Sequence, residues 1–237
     1  MVPIPPLFLF GPHHRFFTVH LLFTMSDYAK GLEGVIANES ALSKVEGLEG
    51  RLSYLGYGID ALVENCSFEE VTHLLHRGKL PNAAELSSFE DELRGDRKIP
   101  EGVIEFLKGA PKDANPMDVL RTAVSMLGLY DPRAKVGEPD QEANRHVALS
   151  LVAQTPVIVA YFHRARQGLD LPPVRGDLSE AAHFLYLMTG EEPSAAAVKT
   201  LDIAYTIHAD HGMNASTFSA RVTIATLSDF YSAMTSA

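Results

Sequence analysis

The stretch Thr206-Ile-His-Ala-Asp-His-Gly-Met-Asn-Ala-Ser-Thr-Phe-Ser-Ala-Arg-Val222 joins two apolar segments through a polar corner. Two histidines, an aspartate, an asparagine and two hydroxyl residues lie within positions 208–217. The apolar residues before the corner predict a helix over 195–209, and those after it predict a second helix over 216–237. Gly212 predicts a turn between them, because glycine readily adopts the positive φ that ends a helix.

The polar residues of this corner allow three interpretations when no family is considered. His208 and His211 are three residues apart, which predicts that they lie on the same side of a helical turn. Their imidazole groups, together with backbone N–H groups at the helix start near Asn214 and Ser216, would suit a small dicarboxylate. Alternatively, the polar side chains only satisfy one another at a helix–turn–helix corner. A His-x-x-His metal pair is the third interpretation, although zinc sites usually need further ligands.

The rest of the chain predicts an all-α, mainly helical fold with one small β hairpin near its start. Gly31–Ala37 and Gly50–Gly58 combine short apolar runs with glycines and predict the two strands of that hairpin. Ser67 and Glu70 match a capping box, and Pro116 suits the first turn of a helix. Periodicity and capping signals predict the other helices at 67–77, 84–94, 100–107, 115–128, 142–166 and 179–187.

Three predicted helices carry apolar residues around most of their circumference, namely 142–166, 179–188 and 195–209. Helices of this kind are buried in the centre of a domain or in a large subunit interface. We therefore expect a homodimer that forms through long apolar helices. Pro156 lies inside the first of these helices and should kink it near Gln154 or break it.

The composition is that of an ordinary globular protein of 237 residues, 46% hydrophobic and 21% charged. Its net charge of −10 argues against a nucleic-acid partner. The single cysteine, Cys66, cannot form an internal disulfide, so a reducing cytoplasm is the expected location. Residues 1–24 fit neither a signal peptide nor a membrane span, because prolines, histidines and an arginine interrupt them. We expect translation to begin at Met25.

Several runs in this chain resemble citrate synthases, in the order and with the gaps of that family. The resemblance covers 31–237 and is greatest to the shorter bacterial and archaeal type of the enzyme. The polar corner resembles the family's oxaloacetate-binding segment. The other runs are Gly31-Leu-Glu-Gly-Val-Ile, Gly50-Arg-Leu-Ser-Tyr-Leu-Gly-Tyr, Ser67-Phe-Glu-Glu-Val, His76-Arg-Gly-Lys-Leu-Pro, Asn115-Pro-Met-Asp-Val-Leu-Arg-Thr-Ala-Val-Ser, Asp177-Leu-Ser-Glu-Ala-Ala-His-Phe-Leu-Tyr and Leu227-Ser-Asp-Phe-Tyr-Ser-Ala-Met-Thr.

The resemblance implies a role for each polar residue of the corner. His211 matches the histidine that donates a hydrogen bond to bound oxaloacetate, and His208 matches its supporting companion. Asn214 matches an asparagine beside the dicarboxylate. Ser216 matches the hydroxyl that orients the catalytic histidine of the next loop. His183 stands where the family usually has asparagine, and we assign no function to it.

The resemblance also implies the reaction, in which acetyl-CoA condenses with oxaloacetate to give citrate, with acetyl-CoA as a substrate and no cofactor. In the family, the catalytic histidine and aspartate and the smaller domain that closes over CoA follow the position of Ala237. Asp229 does not match the catalytic aspartate. We therefore expect 25–237 to be a partial large domain, truncated at its C-terminus and inactive alone. The alternatives are a 2-methylcitrate synthase fragment, a non-catalytic dimerising or binding module, and a pseudogene product.

Overall fold

The structure, a computed structural model, describes residues 38–134 and 140–237. The chain divides into two units, Met1–Glu39 and Ser40–Ala237, and all the strands and helices reported below belong to the second. The expected start at Met25 and the predicted strand Gly31–Ala37 both lie outside the described residues.

The β element is a three-stranded antiparallel sheet in the order β1-β2-β3. Its strands are β1 (Ser43–Glu46), β2 (Arg51–Tyr54) and β3 (Tyr57–Gly58). The predicted strand Gly50–Gly58 is thus divided by a turn at Leu55 and Gly56, both of which have positive φ. Within the described part of the chain, the strand that pairs with β2 on its other side is β1, which the sequence did not predict.

Helices make up most of the remainder of the described chain, and this confirms the predicted all-α fold class. They are α1 (Ile59–Asn65), α2 (Phe68–Arg77), α3 (Ala83–Asp96), α4 (Glu101–Gly109), α5 (Pro116–Tyr130), α6 (Gln141–Gln167), α7 (Glu180–Thr189), α8 (Ala195–Ile207), α9 (Ala215–Ala225) and α10 (Phe230–Ser236). Helix α1 is short, carries no side-chain cap and was not predicted.

Local capping explains where most of these helices begin and end. The Ser67 hydroxyl accepts from the backbone N–H of Glu70, while the Glu70 carboxylate accepts from the N–H of Ser67, which is the predicted capping box. Gly78 ends α2 with a φ of 81°. Asn115 caps α5 and Pro116 occupies its first turn, as predicted.

Helix α6 is the centre of the described fold and packs against α3, α4, α5 and α7. Its buried side chains include Val147, Leu151 and Phe162, which join the largest hydrophobic cluster. By length and composition the helix could cross a membrane, but core helices of globular proteins share those properties. The helix continues through Pro156, so the alternative prediction of a break is wrong.

Two other predictions about helices need correction. The predicted helix over 216–237 is two helices, because Leu227 adopts a φ of 63° and the Asp229 carboxylate caps a new helix through the N–H of Ser232. Helix α8 was predicted to be buried around most of its circumference, yet its buried side chains are Asp202 and Thr206. Much of its apolar surface is exposed or only partly covered.

Tyr231 connects helix α10 to α5. Tyr231 is buried, its ring atoms lie against Gly128, and its hydroxyl donates to Asp131 at 2.6 Å. Met234, which the sequence pattern placed among the residues spaced for burial, is 42% exposed.

Candidate functional site

The polar corner lies between α8 and α9. Helix α8 ends at Ile207, His208 is its C-cap, and Gly212 turns the chain with a φ of 63°. The two histidines therefore do not share a helical turn, and that prediction is wrong: His208 ends the helix, whereas His211 lies in the following loop. The ring Nδ1 of His208 lies 2.7 Å from the carbonyl oxygen of Ala204, one turn back along α8.

An anchor of three residues fixes the shape of this loop. The Asp210 carboxylate accepts hydrogen bonds from the hydroxyl of Ser43 and from the backbone N–H of Gly212. The buried hydroxyl of Tyr54 donates to the carbonyl of Ile207 at 3.2 Å and accepts from the N–H of Asp210 at 3.3 Å. The loop is thus tied to β1 and β2, elements more than 150 residues earlier in the chain.

No sequence pattern predicted a role for these anchor residues. One local signal was present, because an aspartate two residues before a glycine favours an Asx-turn, and Asp210 and Gly212 form one. The contributions of Ser43 and Tyr54 depend on contacts across the fold, for which the local sequence contains no signal.

The hydrogen-bond donors of the loop point to an anionic ligand. The Asn214 side-chain oxygen caps α9 by accepting from the N–H of Thr217 at 2.7 Å, which leaves its amide nitrogen without an acceptor among the described residues. The His211 imidazole is exposed and makes no hydrogen bond within the described chain. Asn214 is the N-cap of α9, where the helix dipole favours negative charge, and His211 lies three residues before it in the loop.

Ser216 and Asp229 have structural roles in this chain. The Ser216 hydroxyl donates to the carbonyl of Ala237 at 2.9 Å, and Asp229 caps α10. Ser219 and Thr223 make further hydrogen bonds to Ser236, so hydroxyl groups of α9 hold the C-terminal end of α10. The prediction that Ser216 orients a catalytic histidine stays a prediction.

A cavity of about 590 Å³ lies beside the corner. His208 and Asp210 border it from the loop, and Thr72 and His76 border it from α2. Burial lowers the pKa of His76, so this ring is neutral at neutral pH. His211 and Asn214 are not among the described residues that border the cavity, so the structure separates the predicted site residues into two groups.

The described residues contain no cluster of three or more histidine, cysteine or carboxylate side chains placed to hold a metal ion. His183 is fully buried, and its Nε2 accepts from the N–H of Arg175 at 3.3 Å. Burial, with help from the charges of Arg97 and Arg175, lowers the pKa of His183 to about 4. The ring is therefore a neutral core residue at neutral pH.

Comparison with known proteins accounts for this architecture. The family model described as "Citrate synthase, C-terminal domain" matches residues 31–237. The citrate synthase of Deinococcus radiodurans is 47% identical over 213 residues, which are 90% of this chain and 56% of that protein. A 2-methylcitrate synthase of Mycobacterium tuberculosis is 43% identical over 213 residues, or 89% of this chain and 53% of the relative.

Solved structures agree with the sequence comparisons. The Pyrobaculum aerophilum citrate synthase has a TM-score of 0.82 at 35% identity, covering 87% of this chain and 53% of that one. The Thermoplasma acidophilum citrate synthase, solved as a ternary complex with carboxymethyl coenzyme A and oxaloacetate, has a TM-score of 0.79 at 26% identity, with 87% and 54% coverage. This chain spans about half the length of the relatives it matches. It belongs to the citrate synthase family.

Proposed function

We propose that this chain provides the oxaloacetate-binding part of a citrate synthase, an acyltransferase that condenses acetyl-CoA with oxaloacetate. The observation that carries the proposal is a pair of donors in the loop that leads into α9, His211 and the Asn214 amide nitrogen, which make no hydrogen bond with the described residues. Imidazole and amide N–H groups donate well to carboxylate and carbonyl oxygens. The Asp210 anchor holds the loop before the ligand arrives, which lowers the entropic cost of binding.

The reaction also needs a base that removes a proton from the methyl group of acetyl-CoA, and donors that stabilise the resulting enolate oxygen. In the proposed assignment these groups belong to the part of the family fold that this chain does not match. We therefore propose that this chain binds oxaloacetate but does not release CoA by itself.

Calorimetric titration with oxaloacetate tests the binding step. We expect binding by the 237-residue chain, weakened about ten-fold or more by His211→Ala, which removes the donor, since a hydrogen bond to a charged ligand contributes about 1.5–3 kcal/mol. His163→Ala, at a half-buried position on α6, is the matched control and should leave the affinity unchanged. Equal affinities for the wild-type and His211→Ala chains would refute this assignment.

A thiol assay for CoA release tests the expected lack of turnover. The chain mixed with acetyl-CoA and oxaloacetate should match a mock preparation. Turnover that His211→Ala abolishes would contradict the proposal that this chain is inactive alone.

A second candidate substrate is propionyl-CoA, because 2-methylcitrate synthases are among the relatives at 43% identity. A chimera in which residues 25–237 replace the matching part of the Deinococcus radiodurans enzyme would be compared with that intact enzyme, so that any change in the ratio of kcat/KM for acetyl-CoA and propionyl-CoA comes from this chain. An unchanged ratio supports the first candidate, and a shift towards propionyl-CoA supports the second.

We also propose that the protein is a cytoplasmic homodimer. The support is the apolar surface of α9, which has no buried residue and exposes Phe218 and Val222. Sedimentation of the chain should show a dimer that Phe218→Asp dissociates. If the dimer forms but oxaloacetate does not bind, the non-catalytic binding module becomes the better account.

A further inference from the structure

The residues on either side of His211 are both held by hydrogen bonds, whereas His211 itself is not. Oδ2 of Asp210 accepts from the backbone N–H of Gly212 at 2.9 Å, which closes an Asx-turn with His211 at its middle position. Gly212 has a φ of 63°, the left-handed conformation that suits glycine. The backbone of His211 is therefore confined between two fixed neighbours, while its exposed ring makes no hydrogen bond with the described residues.

A cross-strand pair of the sheet holds Asp210 from two sides. Ser43 of β1 and Tyr54 of β2 lie directly opposite each other in the antiparallel register, so their side chains point to the same face of the sheet. The Ser43 hydroxyl donates to Oδ2 of Asp210, and the Tyr54 hydroxyl accepts from its backbone N–H at 3.3 Å. Tyr54 is fully buried, so water competes little for this contact. The side chain and the backbone of Asp210 are thus both bound to the sheet.

One oxygen of the Asp210 carboxylate makes both side-chain contacts. Oδ2 accepts from Ser43 and from Gly212, whereas Oδ1 accepts no hydrogen bond from the described residues. Asp210 also forms no ion pair within the described chain. An amide oxygen has two lone pairs and could accept the same two hydrogen bonds, so these contacts require an acceptor and not a charge. The charge itself repels an anionic ligand.

We propose that Asp210 is a positioning residue, which through Oδ2 alone holds His211 where its ring can donate to oxaloacetate. The inference rests on the proposed function, because that function takes His211 as the donor. Without the Asx-turn, the held conformation of the loop would become a minority. The apparent dissociation constant then rises by the inverse of the fraction of the chain that remains competent to bind.

Calorimetric titration with oxaloacetate, on variants that urea unfolding shows to be folded, tests the inference. Asp210→Ala removes the acceptor and should weaken binding about ten-fold, which corresponds to a competent fraction of about one-tenth. Asp210→Asn keeps an oxygen acceptor on a side chain of the same shape, and should bind within about three-fold of the wild type. Asp113→Ala, which removes an exposed aspartate from the loop before α5, is the matched control for net charge and should leave the affinity unchanged.

Ser43→Ala tests whether the sheet acts through the same oxygen. It removes one of the two donors to Oδ2 and should weaken binding less than Asp210→Ala does. In an Asp210→Ala background it should have no further effect, because the acceptor is already absent. A purely structural role would lower the free energy of unfolding of these variants but leave the affinity of the folded chain unchanged. Recovery of affinity in Asp210→Asn therefore distinguishes positioning from stability.

Hydrogen exchange at the Gly212 amide, followed by NMR, provides a readout that needs no ligand. Asp210→Ala should speed this exchange about ten-fold, and Asp210→Asn should not. If the wild-type chain does not bind oxaloacetate, the proposed function fails, but exchange still decides the inference: equal rates in the wild type and Asp210→Ala would overturn it.

Two binding results would also overturn the inference while leaving the proposed function intact. One is an Asp210→Ala chain that binds oxaloacetate as tightly as the wild type, since the turn would then have no effect on His211. The other is an Asp210→Asn chain that binds as weakly as Asp210→Ala, since the charge of the carboxylate, and not its acceptor oxygen, would then be required.

Discussion

Replacing His183 by asparagine should change how the stability of the protein depends on pH. His183 is fully buried on α7, and its pKa falls from 6.5 to about 4 because burial disfavours the imidazolium form and Arg97 and Arg175 repel it. Asp177 acts in the opposite direction but is the smallest of these influences. Asparagine is also neutral and does not titrate in this range.

The direction of this pH effect on stability follows from the order of the pKa values of His183 in the folded and unfolded chain. Below pH 6.5 the unfolded chain binds a proton at His183, whereas the folded chain does so only near pH 4. The wild-type protein therefore has its full stability with respect to this group above pH 6.5, and it loses that stability as the pH falls towards 4. Since one pKa unit corresponds to about 1.4 kcal/mol, the wild-type protein should lose about 3 kcal/mol through this group over that range.

Urea unfolding followed by far-ultraviolet circular dichroism provides the measurement, at about pH 7.5 and about pH 4. The raised pKa values of Glu69 and Glu180 give a contribution of opposite sign, but both residues are present in both proteins, so it cancels in the difference. We expect the wild-type protein to lose about 3 kcal/mol more than the variant. Equal pH dependence, within about 0.5 kcal/mol, would show that His183 is accessible to protons and would refute the reasoning.

Three further changes test the packing. Tyr54→Phe removes the hydroxyl that ties Asp210 to the sheet; urea unfolding should show a loss of about 1–3 kcal/mol, and hydrogen exchange in the loop should rise. Arg97→Leu leaves a buried carboxylate without its partner and should cost about 3–5 kcal/mol, so retention of wild-type stability would argue against a charged pair. Gly128→Ala places a methyl group 3.1 Å from the tyrosine that anchors α10, and should lower the thermal midpoint. Gly109→Ala, also in a helix but with open space around it, should leave the midpoint unchanged or raise it.

Sequence patterns correctly predicted the helices whose first and last residues are set by residues close to them in the chain. The capping box of Ser67 and Glu70, the proline after Asn115 and the glycine at 78 are local signals, and the structure confirms each of them. The same kind of signal marked the end of α8 at Gly212 only approximately, since the helix stops at Ile207.

Other predictions were wrong because they concerned properties that the whole fold decides. The apolar composition of α8 does not show which side faces the core, and in the structure its buried side chains are Asp202 and Thr206. Asp202 is buried because its carboxylate accepts from the N–H of Phe68 at the start of α2. Polar burial of this kind depends on a partner 134 residues away, which periodicity cannot reveal.

The sequence by itself determined the fold class, the family and the set of polar residues in the corner, because these depend on local patterns and on runs of matching residues. Only the tertiary structure decided how that corner is held, with Asp210 bound to Ser43 and Tyr54 from the sheet. It also decided that His183 is neutral and that one oxygen of Glu180 accepts no hydrogen bond from the described residues. The physical reason is that desolvation and hydrogen bonding are set by neighbours in space, and those neighbours are distant in the chain.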